Sequence, residues 1–125
     1  MNDIPVISIV DDNESFRRAA AGLIQSLGYA AAVFASAEEF LSSGRLDETA
    51  CLISDVQMPG MSGIELQAHL AAQGRRMPII FVTAYPETKT RDQALACGAL
   101  GFLDKPFDED DLISCLDRAL AGGTA

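Results

Sequence analysis

Short apolar runs alternate with helical stretches along the whole chain, and no other feature restricts the possible folds as strongly. Four of the five runs are continuously apolar, which is typical of parallel strands that are covered on both faces. The predicted strands are residues 5–10, 30–34, 51–54, 78–82 and 100–103. An alternation of this kind predicts one parallel sheet with right-handed crossovers and helices on both of its faces.

Helix signals lie between the predicted strands. In the first helix the apolar residues fall on one face, at Phe16, Ala20, Leu23, Ile24 and Leu27. Ser36 and Ser62 are each followed three residues later by Glu, which is the capping-box pattern of a helix start. Glycines 28, 44, 74 and 98 each follow a helical stretch, where a left-handed residue is needed to end the helix.

Composition excludes several classes of function. The 125 residues include 9 Lys and Arg against 18 Asp and Glu, a net charge of −9 that repels phosphate backbones and anionic lipids. We therefore expect no direct contact with nucleic acid or membrane. The apolar run at 78–82 is far shorter than the roughly 18 residues of a membrane span, and residues 1–5 show no signal-peptide pattern.

The three cysteines, Cys51, Cys97 and Cys115, have neither C-x-x-C spacing nor an even number. This argues against a disulfide framework and against a zinc site. Because each lies in an apolar stretch, we expect all three to be small core residues, and a reducing compartment, the cytoplasm.

Polar residues follow four of the predicted strands, directly or within two residues. They are Asp11 and Asp12, Asp55, Thr83 and, at the last strand, Lys105. Doubly wound sheets bind ligands beyond the carboxyl ends of their strands, so these side chains are expected at one edge. Three converging carboxylates repel one another unless a cation, a proton or an ammonium relieves the repulsion. An oxygen-rich site with open positions suits Mg²⁺.

The chemistry expected at this edge is phosphoryl transfer. A carboxylate beside Mg²⁺ can attack phosphorus and form an aspartyl phosphate, and the Thr83 hydroxyl is placed to hydrogen-bond the new group. The residues alone leave the nucleophile open among Asp11, Asp12 and Asp55. We favour Asp55 because it lies centrally in the predicted sheet and precedes the Gly- and Pro-rich loop 58–63.

Four motifs occur in this order: VDD at 10–12, DVQMPGMSG at 55–63, VTA at 82–84 and KPF at 105–107. As a set they resemble the receiver domain of bacterial two-component response regulators, over essentially the whole chain. The segment 36–41 and the KPF ending are most similar to the nitrogen-fixation-regulator type, whose receivers usually precede a helix-turn-helix output domain.

The resemblance implies a role for each residue at the edge. Asp55 would be the phosphoacceptor, phosphorylated by a sensor histidine kinase. Asp12, Asp55 and the backbone carbonyl of Gln57 would ligate Mg²⁺ directly, and Asp11 would act mostly through a bound water. Lys105 would bridge to the phosphoryl group.

The resemblance also implies the parts of a switch. Thr83 would be the switch hydroxyl and Phe102 the switch aromatic. Gln57 and Tyr85 occupy positions that tune the lifetime of the phosphoryl group in this family. The bond between Lys105 and Pro106 would be cis.

These points predict a three-layer αβα domain over residues 1–125, with five parallel strands in the flavodoxin-like order 2-1-3-4-5 and no output domain in this chain. The expected function is a cytoplasmic signalling switch rather than an enzyme, with intrinsic hydrolysis at its own Asp55. Phosphorylation would reshape the surface of the fourth helix, fifth strand and fifth helix. This surface would control a C-terminal DNA-binding output domain or a separate effector protein, or form a phosphorylation-dependent homodimer.

Three alternatives are weaker. A phosphatase of the haloacid-dehalogenase type needs a second Asp two residues after its nucleophile, where this chain has Gln57. An FMN-binding flavodoxin-like module needs a phosphate-binding loop after the first strand, where the acidic segment 11–14 would repel the phosphate. A pseudo-receiver that acts only through protein contacts would be expected to lack one of the acids, Thr83 or Lys105, and all are present.

Overall fold

The computed structural model describes residues 4–122, in which strands and helices alternate without exception. The strands are β1 (Val6–Val10), β2 (Ala30–Phe34), β3 (Thr49–Asp55), β4 (Ile79–Thr83) and β5 (Gly101–Asp104). The helices are α1 (Glu14–Ser26), α2 (Ala37–Ser42), α3 (Gly63–Ala72), α4 (Thr88–Ala96) and α5 (Glu109–Gly122). All neighbouring strands are parallel, and their order is β2-β1-β3-β4-β5, as predicted.

Two apolar cores, one on each face of the sheet, make this a three-layer domain. On one face α1 and α5 pack through residues such as Ile24 and Leu116 against Ile53 of the sheet. On the other face α2, α3 and α4 cover Leu52 and Phe81. The central strands are therefore buried on both faces, which explains why their sequences are continuously apolar.

β2 has the predicted bounds, and the other four strands differ from the predicted ones by one or two residues at their ends. β3 is longer than predicted because Thr49 pairs with Val6 at one end and Asp55 pairs with Val82 at the other. Asp55 and Thr83 are thus the last residues of their strands rather than the first residues after them. Strand pairing holds their backbones in place.

The predicted helix caps are present, one of them in altered form. At α3 the box is complete, because the Ser62 hydroxyl accepts the Glu65 N–H and the Glu65 carboxylate accepts the Ser62 N–H. At α2 the Ser36 hydroxyl accepts the Glu39 N–H, but the Glu39 carboxylate accepts the N–H of Ala35 instead. The four glycines predicted to end helices all have positive φ.

Cys51 and Cys115 are buried as predicted, whereas the prediction for Cys97 was wrong because its side chain is exposed. Cys97 is the C-cap of α4, a polar helix that buries only Ala94. The bond between Lys105 and Pro106 is cis, as predicted. Within residues 4–122, no helix combines the length and the apolar character that crossing a bilayer requires.

Candidate functional site

Three carboxylates meet at the carboxyl edge of the sheet, as predicted. Asp11 directly follows β1 and Asp55 ends β3, and the pairing of Val10 with Ser54 makes these two strand ends neighbours. One carboxylate oxygen from each of Asp11, Asp12 and Asp55 lies within 4.8 Å of the other two. Asp11 is fully buried and Asp55 is 7% exposed, whereas Asp12 is open to solvent.

Lys105 enters the same site from the end of β5. Its Nζ lies 2.7 Å from Asp11 Oδ2 and 3.4 Å from Asp55 Oδ2. The backbone N–H of Lys105 donates to the Thr83 carbonyl at 2.8 Å, which ties this segment to the end of β4. The structure therefore brings together the three predicted acids, the predicted lysine and the backbone of Thr83 at the end of β4.

Asp11 and Asp12 are adjacent in sequence but differ in their surroundings. Asp11 Oδ1 accepts the Asn13 N–H at 2.9 Å, and Oδ2 accepts from Lys105. Arg17 donates to the Asp11 carbonyl at 2.8 Å. In the part of the chain that the structure describes, no group donates to the Asp12 carboxylate. Asp11 is thus fixed by the protein, and Asp12 is free to take a ligand.

The electrostatics of Asp55 are unfavourable for an isolated anion. Burial raises the pKa of the Asp55 carboxyl, and the nearby Asp11 charge raises it further. The Lys105 ammonium and the Gln57 N–H, which lies 3.3 Å from Asp55 Oδ1, oppose this rise without cancelling it. The site therefore holds negative charge that an added cation would stabilise.

The donors at this edge fit Mg²⁺. They are carboxylate oxygens, and Mg²⁺ prefers one or two carboxylates while it keeps bound waters or phosphate oxygens. No His or Cys belongs to the group. Within residues 4–122, this is the one set of three or more acidic or metal-binding side chains that converge closely enough to hold an ion.

The predicted switch residues lie beside this site. The Thr83 side chain is 1% exposed, and its hydroxyl oxygen accepts the Tyr85 N–H at 3.1 Å. The ring of Phe102 is half-buried and lies 6.3 Å from that of Phe81. Phe102 also lines a groove of about 470 Å³ that runs between α4, β5 and the start of α5.

The two residues expected to tune phosphoryl lifetime are at the surface. Tyr85 is 70% exposed, and the Gln57 side chain is exposed as well. Within residues 4–122 both contact the site through their backbone N–H groups, and neither side chain forms a hydrogen bond. Their side chains therefore lie at the surface, while their backbone N–H groups contact Asp55 and Thr83.

Several residues that shape the site were not predicted from the sequence. The ring of Phe16 lies under the Lys105 ammonium, 4.5 Å from Nζ to the ring centroid. Glu38 of α2 accepts the N–H of Met61 at 2.9 Å and so fixes the loop after β3. A Cβ on Gly63 would lie 2.2 Å from the Asp55 carbonyl oxygen. The sequence did contain a sign of the role of Phe16, since this aromatic residue lies four residues after Asp12, on the first turn of α1.

Comparison with known proteins finds response regulators by family model and by sequence. Residues 7–117 match the family model described as the response regulator receiver domain. The chain is 40% identical over 121 residues to the response regulator protein TmoT of Ectopseudomonas mendocina, which covers 96% of this chain and 55% of that protein. It is 36% identical over 119 residues to the transcriptional regulatory protein FixJ of Azorhizobium caulinodans, covering 95% of this chain and 56% of that protein.

Solved structures show the same fold. The crystal structure of FixJ-N superposes with a TM-score of 0.83 at 32% identity, covering 97% of this chain and 96% of that one. The response regulator StyR gives a TM-score of 0.88 at 38% identity, covering 95% of this chain and 60% of that one. The chain spans about half the length of the curated relatives it matches. The family match over most of the chain, together with the acidic edge and its lysine, shows that this chain belongs to the response regulator receiver domain family.

Proposed function

We propose that Asp55 accepts a phosphoryl group from the phosphohistidine of a sensor histidine kinase. The observation that carries the proposal is the position of the Asp55 carboxylate, at the end of β3 beside Asp11 and within 3.4 Å of the Lys105 ammonium. In the step, an Asp55 carboxylate oxygen attacks phosphorus and forms a P–O bond. The P–N bond of the phosphohistidine breaks, and its electron pair stays on the imidazole nitrogen, which takes up a proton.

The surrounding residues would divide the remaining work. Asp12, Asp55 and the Gln57 backbone carbonyl would hold Mg²⁺ directly, and Asp11 would act mostly through a bound water. The metal would supply positive charge against the oxygens of the transferring phosphoryl group. The Lys105 ammonium, already 3.4 Å from Asp55, would donate a hydrogen bond to a phosphoryl oxygen.

The signal would leave the site through Thr83 and Phe102. A hydrogen bond from the Thr83 hydroxyl to the phosphoryl group would draw this side chain toward Asp55, and the Phe102 ring would turn into the vacated space. Phe102 already borders the groove between α4, β5 and α5, so its rotation would reshape that surface. To shift the active state from 1% to 99%, phosphorylation must favour it by about 5.5 kcal/mol.

The chain would act as a signalling switch that also hydrolyses its own aspartyl phosphate, at a rate tuned by Gln57 and Tyr85. Its curated relatives are about twice as long, and one of them is a transcriptional regulatory protein, which supports a C-terminal DNA-binding output domain as the partner. A separate effector protein is the alternative partner. A phosphorylation-dependent homodimer through α4, β5 and α5 is part of the proposal, and an unchanged sedimentation coefficient on phosphorylation would count against it. The three free thiols support a reducing, cytoplasmic location.

Intact-mass spectrometry after incubation with acetyl phosphate tests the proposal. With Mg²⁺, the wild-type chain is expected to gain about 80 Da, the mass of one phosphoryl group, and to lose it in hydroxylamine. The gain should disappear without Mg²⁺ and in Asp55→Asn, whose side chain has the same shape. No gain under any condition would instead favour a pseudo-receiver that acts only through protein contacts.

A further inference from the structure

The Lys105 side chain is largely buried, and its ammonium contacts two carboxylates. The side chain is 17% exposed, and Nζ donates to Asp11 Oδ2 and Asp55 Oδ2. Among the described residues these two carboxylates are its hydrogen-bond acceptors. An ammonium carries three N–H donors, so one of them is left without an oxygen acceptor from the protein.

The face of the Phe16 ring provides the remaining contact. Lys105 Nζ lies 4.5 Å from the ring centroid, well within the roughly 6 Å over which an aromatic face attracts a cation. This attraction is stronger when the cation lies in mostly buried surroundings, and the Lys105 side chain is 17% exposed. The ammonium is therefore bounded by two carboxylates and by one aromatic face.

Phe16 is itself fixed from two sides. The Asn13 side chain accepts the Phe16 N–H at 2.9 Å, and the Asn13 N–H donates to Asp11, so a short chain of hydrogen bonds links the carboxylate to the residue that carries the ring. The Phe107 ring packs against the Phe16 ring in a T-shaped arrangement, at a centroid distance of 5.8 Å and an interplanar angle of 79°. The ring is thus held at a set position relative to Asp11 and Lys105.

We propose that Phe16 is a positioning residue, whose ring face holds the Lys105 ammonium between Asp11 and Asp55 so that it can reach a phosphoryl oxygen. The inference rests on the proposed function, because it assigns Phe16 a part in phosphorylation of Asp55. It differs from a packing role, since a packing residue needs the volume of the ring and a positioning residue needs its negative face. Phe16 also contacts the core between α1 and α5, so the two roles must be separated.

Fluorinated phenylalanines separate them, because added fluorine weakens the attraction of the ring for a cation while the ring keeps nearly the same size. We would introduce mono-, di- and trifluorophenylalanine at position 16 of the full chain and measure the rate of phosphorylation by acetyl phosphate. The rate is expected to fall stepwise, by about fivefold for the trifluoro ring. Thermal unfolding should stay within error of wild type. Phe16→Tyr should keep the wild-type rate, whereas Phe16→Leu should lower it.

The same fluorinated residues at Phe40 are the matched control. Phe40 is a fully buried aromatic of α2, packed against Phe34 in the core on the face of the sheet opposite to that of Phe16. Fluorination there should leave the phosphorylation rate unchanged. A second measurement is the rate at which the Lys105 ammonium protons exchange with water, determined by NMR in the absence of phosphodonor. This exchange should become faster with fluorination at position 16 and should not change with fluorination at position 40.

One result is that the wild type is phosphorylated while the phosphorylation rate stays flat or rises as fluorine is added at position 16. That result would overturn the inference and leave the proposed function intact. Fluorine-independent exchange of the Lys105 protons would overturn it as well. A wild type that gains no phosphoryl group would contradict the proposed function, and the exchange rates would then decide separately whether the ring holds the ammonium.

Discussion

The ionised carboxylate of Asp55 lies in electrostatically unfavourable surroundings. Burial and the Asp11 charge raise the pKa of its carboxyl, and Lys105 offsets only part of this rise. A carboxylate held in such surroundings destabilises the folded chain whenever it is ionised. Functional sites often retain destabilising groups of this kind, because the same groups are needed for activity.

Asp55→Asn is expected to stabilise the metal-free protein at pH 7, by about 1 kcal/mol. The folded-state pKa is raised above the unfolded value, so stability falls as pH rises from the ordinary Asp pKa of about 3.9 through the raised value. The gain of the variant should therefore be full at pH 7 and vanish below the ordinary pKa. Urea unfolding of wild type and variant in a chelating buffer, at pH 7 and at a pH below about 3.9, measures this difference in stability.

Mg²⁺ supplies the control for this prediction. An ion that binds only the folded wild type stabilises it by mass action, so Mg²⁺ should narrow or reverse the difference between wild type and Asp55→Asn. A variant that is less stable than wild type at pH 7 without metal would contradict this account of Asp55.

At the scale of elements, α3 begins against the backbone of β3. Gly63 is the first residue of α3, and its N–H donates to the Val56 carbonyl at 2.8 Å. A Cβ added there would lie 2.2 Å from the Asp55 carbonyl oxygen and 3.0 Å from the Phe81 ring. This close approach brings the helix start directly behind the proposed phosphoacceptor.

Gly63→Ala is accordingly expected to destabilise the fold by about 2–3 kcal/mol, because strand or helix must shift to admit the methyl group. Gly22→Ala is the matched control. Gly22 lies inside α1, and a Cβ there would have no atom within 4 Å. It should stabilise the protein by about 0.5–1 kcal/mol through helix propensity. Urea unfolding of both variants is the measurement, and equal stabilities would contradict the packing described for Gly63.

Helix α4, which forms part of the proposed switch surface, is weakly anchored to the rest of the fold. It buries only Ala94, and Glu87, the N-cap residue before its first turn, forms no side-chain capping hydrogen bond. A buried side chain of α3 compensates, since Gln67 Nε2 donates to the Ala94 carbonyl at 3.0 Å. A helix held by so few contacts is suited to move in a conformational change.

Gln67→Met, which keeps an unbranched side chain but removes the donor, is expected to loosen α4. Loss of one buried hydrogen bond costs about 1 kcal/mol, so amide exchange in α4 should speed up about fivefold. Hydrogen exchange followed by mass spectrometry measures this, with α1 as the internal reference. Unchanged protection of α4 would show that Gln67 does not anchor it.

The sequence was sufficient to predict most of these elements and the group of residues at the sheet edge. Continuous apolar runs identified the buried strands, and the polar residues after them identified the edge. The surroundings of Phe16 could not be predicted, because the contact between its ring and Lys105 joins α1 to the end of β5 across the chain. Cys97 misled for a related reason, since its apolar neighbours gave no sign that α4 turns that position outward.

At the scale of the whole molecule, the sheet order explains how distant parts of the sequence form one site. β1 and β3 are neighbours in the centre of the sheet, so Asp11 and Asp55 meet although 43 residues separate them. β5 lies at the edge next to β4, and the segment after it brings Lys105 to the same end. The switch surface proposed for α4, β5 and α5 adjoins this end through Phe102 and its groove.

We propose that Asp55, and neither Asp11 nor Asp12, receives the phosphoryl group. Borohydride reduction of the chain after reaction with acetyl phosphate and Mg²⁺, followed by peptide mass mapping, tests it most directly, because borohydride converts an aspartyl phosphate to homoserine. We predict homoserine at position 55 only, and none without phosphodonor. Homoserine at position 11 or 12 with position 55 intact would contradict the account.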